Sequence, residues 1–117
     1  TRFRCLGSVR GCGLADLFGI GAFDLILNAT SASLSEALPV LPLGLVATDT
    51  VCYDLAYGSQ PTAFMRWGQA QGAARTEDGL GMLIEQAAVA FERWRGVHPD
   101  TTRVREILRP DSPPAST

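Results

Sequence analysis

From Ala22 to Asn28 the chain reads "AFDLILN", almost wholly apolar, and it passes abruptly into the small polar residues "ATSAS". A short continuous apolar run bounded by turn formers predicts a strand buried on both faces of a parallel sheet. "TVCYDLAYG" repeats the pattern, with Asp54 at its polar end, and predicts a second strand. Pro61 to Gln71 ("PTAFMRWGQAQ") reads as a helix, with proline near its start and Gly72 just past its end. "AAR" is a candidate third strand, leading to Asp78. The helix that follows, within "DGLGMLIEQAAVAFERWRG", closes with Arg93, Arg95 and Gly96, cations and glycine where the carbonyl end favours them. His98-Pro99 breaks the chain, and Asp100 is placed to cap a last helix, "TTRVREILR", which Pro110 ends. The pattern is weaker elsewhere. "SVRGCG" suits a short strand, "LADLF" a turn of helix, "LSEALPVLPLGL" a loop and "DSPPAST" a disordered tail.

Strands alternating with helices imply βαβ units and an α/β fold built on a parallel sheet. The sheet is small, three or four strands, and its first part is ragged. Together with an opening Thr1 in place of methionine, this reads as the second half of a doubly wound, Rossmann-like domain. Such a half-sheet exposes an unpaired edge and an uncovered apolar surface, so self-association or poor solubility is expected of the chain made alone.

Composition removes several classes of function. A formal net charge of -2 gives no basic stripe with which to neutralise phosphates, so nucleic acid is not an expected partner. The ten cationic residues are all arginine. Cys5, Cys12 and Cys52 form no CxxC pair, which suits a reduced cytoplasmic protein better than a disulfide framework. His98 is the only histidine, too little for a zinc site or a Ser-His-Asp triad. No apolar run approaches the ~18 residues that cross a bilayer, so no membrane partner is expected.

In open α/β sheets ligands sit beyond the carboxyl ends of the strands. Two such ends carry "NATSAS" and "YDLAYG". Asn28, Thr30, Ser31 and Ser33 suit a loop that lets a flat ligand approach the backbone, and they equally suit ordinary turn chemistry. Tyr57 is placed either to pack at the rim or to donate to a substrate. "GLGMLI" has the first two glycines of a dinucleotide fingerprint but Ile84 where a third small residue belongs, and no acidic strand end follows. "GCGLAD" and "GIGAFD" fail at the same position, so the phosphate-binding loop is not in this sequence.

On a wheel of about 100° per residue, Leu80, Leu83, Ile84, Ala87, Ala88, Ala90, Phe91 and Trp94 share one broad face, with Glu85 and Glu92 opposite. Gln86 falls at the edge of that face beside Met82, Val89 and Arg93. A helix apolar on more than one side touches two bodies. Gln86 therefore either looks into a cleft, offering an acceptor and two donors to a hydroxylated ligand, or sits at a wet rim. Gly79 and Gly81 cost roughly 1 kcal/mol each inside a helix, so they point to close approach of a ligand or another backbone.

"FDLILNATSAS", "CYDLAYG…PTAFMRW" and "DGLGMLIEQAAVAFERWRGVHPD" stand in an order and approximate spacing that resembles the shikimate dehydrogenases, over about residues 22 to 104. The resemblance implies an enzyme of two α/β domains that reduces 3-dehydroshikimate to shikimate with NADPH, on the way to aromatic amino acids. By the same resemblance, residues 1–78 would be part of an NADP-binding Rossmann-like domain. Residues 79–109 would be C-terminal helices bridging to an N-terminal substrate domain, and 110–117 a disordered tail.

The resemblance also implies roles. Gln86 would hydrogen-bond a substrate hydroxyl, and Tyr57 would contact the substrate across the cleft. Gly79 and the backbone at Leu55 would lie against the nicotinamide, and the loop Asn28, Ala29, Thr30 and Ser31 would line the cofactor side. The family's catalytic lysine and its partner aspartate lie in the N-terminal domain, and this sequence has no lysine. Hydride transfer by the 117 residues alone is therefore not expected. A cytoplasmic location fits the resemblance, and so does a homodimer of the full-length enzyme. NADP against NAD, quinate against shikimate, and a noncatalytic module remain open alternatives.

Overall fold

A computed structural model describes residues 7–32 and 37–109. Three short strands, β1 (Leu25–Asn28), β2 (Val51–Asp54) and β3 (Arg75–Glu77), form a parallel sheet in the order β1-β2-β3. Ile26 stands opposite Cys52, which stands opposite Thr76. Helix α1 (Ala63–Ala70) joins β2 to β3, and α2 (Leu80–Arg95) and α3 (Thr101–Leu108) follow. The βαβ unit expected from the alternation of runs is present at β2-α1-β3. A single 3-10 turn at Leu14–Leu17 stands where "LADLF" predicted a turn of helix.

The termini of the helices follow from local chemistry. Thr62 caps α1, its hydroxyl accepting from the Met65 amide at 3.2 Å, and Gly72 takes a left-handed φ of 87° just beyond the helix. Asp100 caps α3, accepting from the Thr102 and Arg103 amides. Gly96, at φ 72°, ends α2 and donates to the Glu92 carbonyl at 2.7 Å.

Packing covers one face of the sheet. Gly68 of α1 lies directly over β2, and a β-carbon added there would stand 3.0 Å from the Cys52 side chain and 3.1 Å from Thr76. Helix and strand thus meet at backbone distance, with Phe64 and Cys52 buried between them. Burial pushes the Cys52 thiol up from its ordinary pKa and keeps it protonated, while Cys12 is an exposed free thiol.

Three expectations are corrected. The "SVRGCG" segment forms no strand; residues 8–13 are exposed and pair with nothing sheet-like. β3 begins at Arg75, where "AAR" ends, because Ala73 is still held in the turn after α1 by the Gly68 carbonyl. β1 is not buried on both faces: Leu25 is 52% and Leu27 58% exposed, while Asn28 on the other face is buried. The reason is that α1 packs on β2 and β3, and α2 packs on α3, so no described helix covers the Leu25–Leu27 face. On α2 likewise, Ile84 and Ala88 are buried, whereas Ala87, Phe91 and Trp94 of the predicted apolar face are exposed. The expected tail, 110–117, and Ser33 lie outside the described residues.

Thr50, fully buried just ahead of β2, was not singled out by the pattern. Its hydroxyl donates to the Phe23 carbonyl at 2.6 Å and accepts from the Ala47 amide at 2.8 Å, fixing the entry of β2 beside β1. Thr50→Val keeps the shape but leaves the Phe23 carbonyl and the Ala47 amide, both part-buried, without this partner. The expected loss is about 1–3 kcal/mol of stability, measured by chemical denaturation; a change within ~0.5 kcal/mol would show that the hydroxyl does not hold the strand entry.

Candidate functional site

The carboxyl ends of β1 and β2 meet at a buried acid. Asp54 has no exposed surface. Its Oδ1 accepts from the Asn28 side-chain amide at 3.2 Å and from the Ala56 backbone at 3.0 Å, and its Oδ2 accepts from the Thr62 hydroxyl at 2.7 Å. One carboxylate thus ties the end of β1, the turn after β2 and the cap of α1. The Asn28 side-chain Oδ1 accepts in turn from the Thr30 amide at 3.2 Å and the Thr30 hydroxyl at 2.7 Å. The Asn28 and Thr30 side chains are therefore engaged in shaping the "NATS" loop, while Ala29 and Ser31 lie exposed along it.

Leu55 and Gly79 are in direct backbone contact. The Leu55 amide donates to the Asn28 carbonyl at 3.0 Å, and the Gly79 amide donates to the Ala56 carbonyl at 3.0 Å. A β-carbon on Gly79 would stand 2.1 Å from the Leu55 carbonyl oxygen. Of the two reasons the sequence allowed for this glycine, close approach of another backbone is the one present. Gly81 has a different neighbour, the Arg105 guanidinium of α3 at 3.3 Å from the same built position; Arg105 also pairs with Glu85 at 3.3 Å.

The start of α2 is held by charge. Asp78, 6% exposed, accepts from the Leu80 amide at 3.2 Å, satisfying one of the free donors of the first turn. The Arg109 guanidinium grips both of its carboxylate oxygens and also donates to the Gly58 carbonyl at 2.7 Å. A cleft of about 650 Å³ opens here, lined among others by Tyr57, Pro61, Met65, Asp78, Leu80 and Arg109.

Two of the predicted site residues keep their functional groups free. Tyr57 is 52% exposed at the cleft, and its hydroxyl has no hydrogen-bond partner among the described residues. Gln86 is exposed and likewise unpartnered among them. It follows Gly79 by seven residues, so it lies on nearly the same helix face, about 10 Å further along the axis. The structure therefore brings Asn28, Leu55 and Gly79 into one contiguous edge with Tyr57 beside it, and sets Gln86 two turns away. His98 pairs with Glu92 at 2.8 Å on the surface, and no group of three metal-ligating side chains occurs among the described residues.

Sequence reasoning missed Thr62, Asp78 as an ion-pair partner, and Arg109. A threonine immediately before an apolar helical run is a readable cap signal; the Asp78–Arg109 pair spans 31 residues and carries none. Gly79→Ala forces the β-carbon into the Leu55 carbonyl. The expected result is destabilisation of about 1–3 kcal/mol, with weaker amide protection at the α2 start. A stability equal to the parent would show that the two backbones part without cost.

The comparisons with known proteins converge on this region. A family profile described as "Shikimate 5'-dehydrogenase C-terminal domain" matches residues 79–109, covering α2 and α3. A "Shikimate dehydrogenase (NADP(+))" of Methylococcus capsulatus is 56% identical over 92% of this chain and 38% of its own length. Among solved structures, an Ael1 enzyme from Pseudomonas putida is 49% identical, with a TM-score of 0.72, covering 81% of this chain and 35% of that one. The shikimate dehydrogenase of Aquifex aeolicus is 29% identical, with a TM-score of 0.63, covering 74% and 32%. A 5-ketofructose reductase of a Gluconobacter strain is 32% identical at the same TM-score, covering 74% and 32%. The chain spans roughly two-fifths of the length of the curated relatives it matches. The fold, the three motifs and this identity agree that the chain is similar to the C-terminal part of the shikimate dehydrogenases.

Proposed function

We propose that this chain supplies the nicotinamide-facing and hydroxyl-reading side of an NADP-dependent shikimate dehydrogenase, which interconverts 3-dehydroshikimate and shikimate. The observation that carries the reading is the pairing of a tight backbone edge with two unpartnered polar groups, Tyr57 beside it and Gln86 two turns further along α2. The Leu55 carbonyl fills the space a β-carbon on Gly79 would take, so the two backbones form a close-set edge that would offer a nicotinamide ring a rigid wall. NADPH, bound there, would supply the hydride. The residues of this chain hold and orient: Tyr57 and Gln86 offer a hydroxyl and an amide to a polyhydroxylated ring, and the Asn28–Ser31 loop lines the cofactor side. Residues 1–78 form the cofactor-binding portion on this reading, and 79–109 the helices that face the substrate domain.

The sequence holds no lysine and no glycine-rich phosphate loop. On this reading, the family's lysine and the grip on the cofactor's phosphates would be supplied by residues other than these 117. The purified 117-residue chain is expected to show no turnover of shikimate with NADP. A second reading, reduction of a different polyhydroxylated carbonyl, is favoured by the likeness to a ketose reductase at 32% identity. No described helix is long and apolar enough to cross a membrane.

Tyr57→Phe and Gln86→Ala, made in the protein as its gene encodes it, test the substrate assignment. Each removes a hydrogen bond to a substrate hydroxyl, expected to be worth about 0.5–1.5 kcal/mol, or roughly two- to tenfold in kcat/KM for shikimate. Unchanged kinetics in both variants would discard the assignment, and full activity restored on a ketose would favour the second reading.

A further inference from the structure

We propose that Arg109 is a positioning residue, a clamp that locks the loop carrying Tyr57 to the start of α2. The inference rests on the reading of Tyr57 as a substrate contact. Arg109 follows α3 and reaches back across 51 residues to the Gly58 carbonyl, 2.7 Å away, and across 31 residues to both oxygens of Asp78. A planar guanidinium makes these bonds together because its donors point in fixed, divergent directions. Gly58 is the residue after Tyr57, and Asp78 is the residue before Gly79. One side chain thus spans the two walls of the cleft next to the free tyrosine hydroxyl.

The remaining supports of that loop lie on its inner side. Ala56 is held by Asp54 and by the Gly79 amide, whereas residues 57–60 are exposed. Asp78 also depends on the clamp: it is nearly buried, and its other hydrogen bond comes from a single backbone amide, that of Leu80. Loss of Arg109 removes the cation beside a desolvated carboxylate and releases the Gly58 carbonyl at the same time. Both changes loosen the separation between Tyr57 and Gly79, which a bound substrate and nicotinamide would require fixed.

The test uses the protein as its gene encodes it, with Arg109→Ala and the milder Arg109→Lys. Site-resolved amide exchange reads the clamp directly. In Arg109→Ala, the Gly79 and Leu80 amides are expected to exchange roughly tenfold to a hundredfold faster, with Cys52 and Tyr53 in β2 unchanged. Arg109→Lys, which keeps the cation, should recover part of that protection and serves if the alanine variant does not fold. Unchanged exchange at Gly79 and Leu80 overturns the inference whatever the substrate is. Kinetics read the consequence: kcat/KM falls on the order of tenfold, and the loss is less than additive with Tyr57→Phe but additive with Gln86→Ala, which stands on α2 itself. Equal additivity with both would overturn the positioning role. Silence of Tyr57→Phe and Gln86→Ala as single variants would instead discard the substrate assignment, leaving the clamp to be judged by exchange.

Discussion

The carboxylate of Asp54 lies out of reach of water, and the rest of the sheet's carboxyl edge is arranged around that fact. A charge buried without partners costs several kcal/mol, so the chain must bring donors to it. Asn28, Thr62 and the Ala56 amide do so from three separate segments. The strand register that sets Asn28 opposite Asp54 is therefore fixed by polar chemistry as well as by the ladder. A slip of one residue would turn Asn28 to the other face and leave the acid unsatisfied.

From that centre outward the polar groups divide into two kinds. Those that are buried are satisfied, and they build the frame: Thr50 at the strand entry, Asn28 and Asp54 at the strand ends, Asp78 at the start of α2. Tyr57 and Gln86, by contrast, are exposed and uncommitted, and each is mounted on a segment the frame holds. The backbone contact of Gly79 with Leu55 transmits the placement of one wall to the other, since neither can shift without the clash or the gap it would create. Arg109 does the same from the outside by charge.

Exposed apolar surface marks where this frame stops. Leu25 and Leu27 on β1, and Phe91 and Trp94 on α2, present large side chains that the described residues leave about half or more exposed. The sequence pattern announced these residues as buried because an apolar run or stripe reports only that a face prefers to leave water. It does not report whether the covering body is on hand. β1 has its apolar odd-numbered face open and its even-numbered face closed for that reason, although both read alike in the sequence.

Strand and helix order, the caps at Asp100 and Gly96, and the parallel α/β class were all set by local patterns: apolar runs of strand length, a 3.6-residue period, and turn formers between them. These are near-neighbour effects, so the sequence alone carries them. Tyr57 and Gln86 were singled out through the resemblance of their motifs, while the need for a close neighbour at Gly79 followed from the cost of glycine at a helix start. What that neighbour is, the Leu55 carbonyl, depends on how β2 and α2 approach. The partners of Asp54, the seat of Gly68 over Cys52, and the reach of Arg109 to Asp78 and Gly58 depend on it as well. Apart from the Ala56 amide, these contacts join residues 8 to 51 positions apart, and only folding decides which distant groups must satisfy a buried charge or fit against a bare α-carbon.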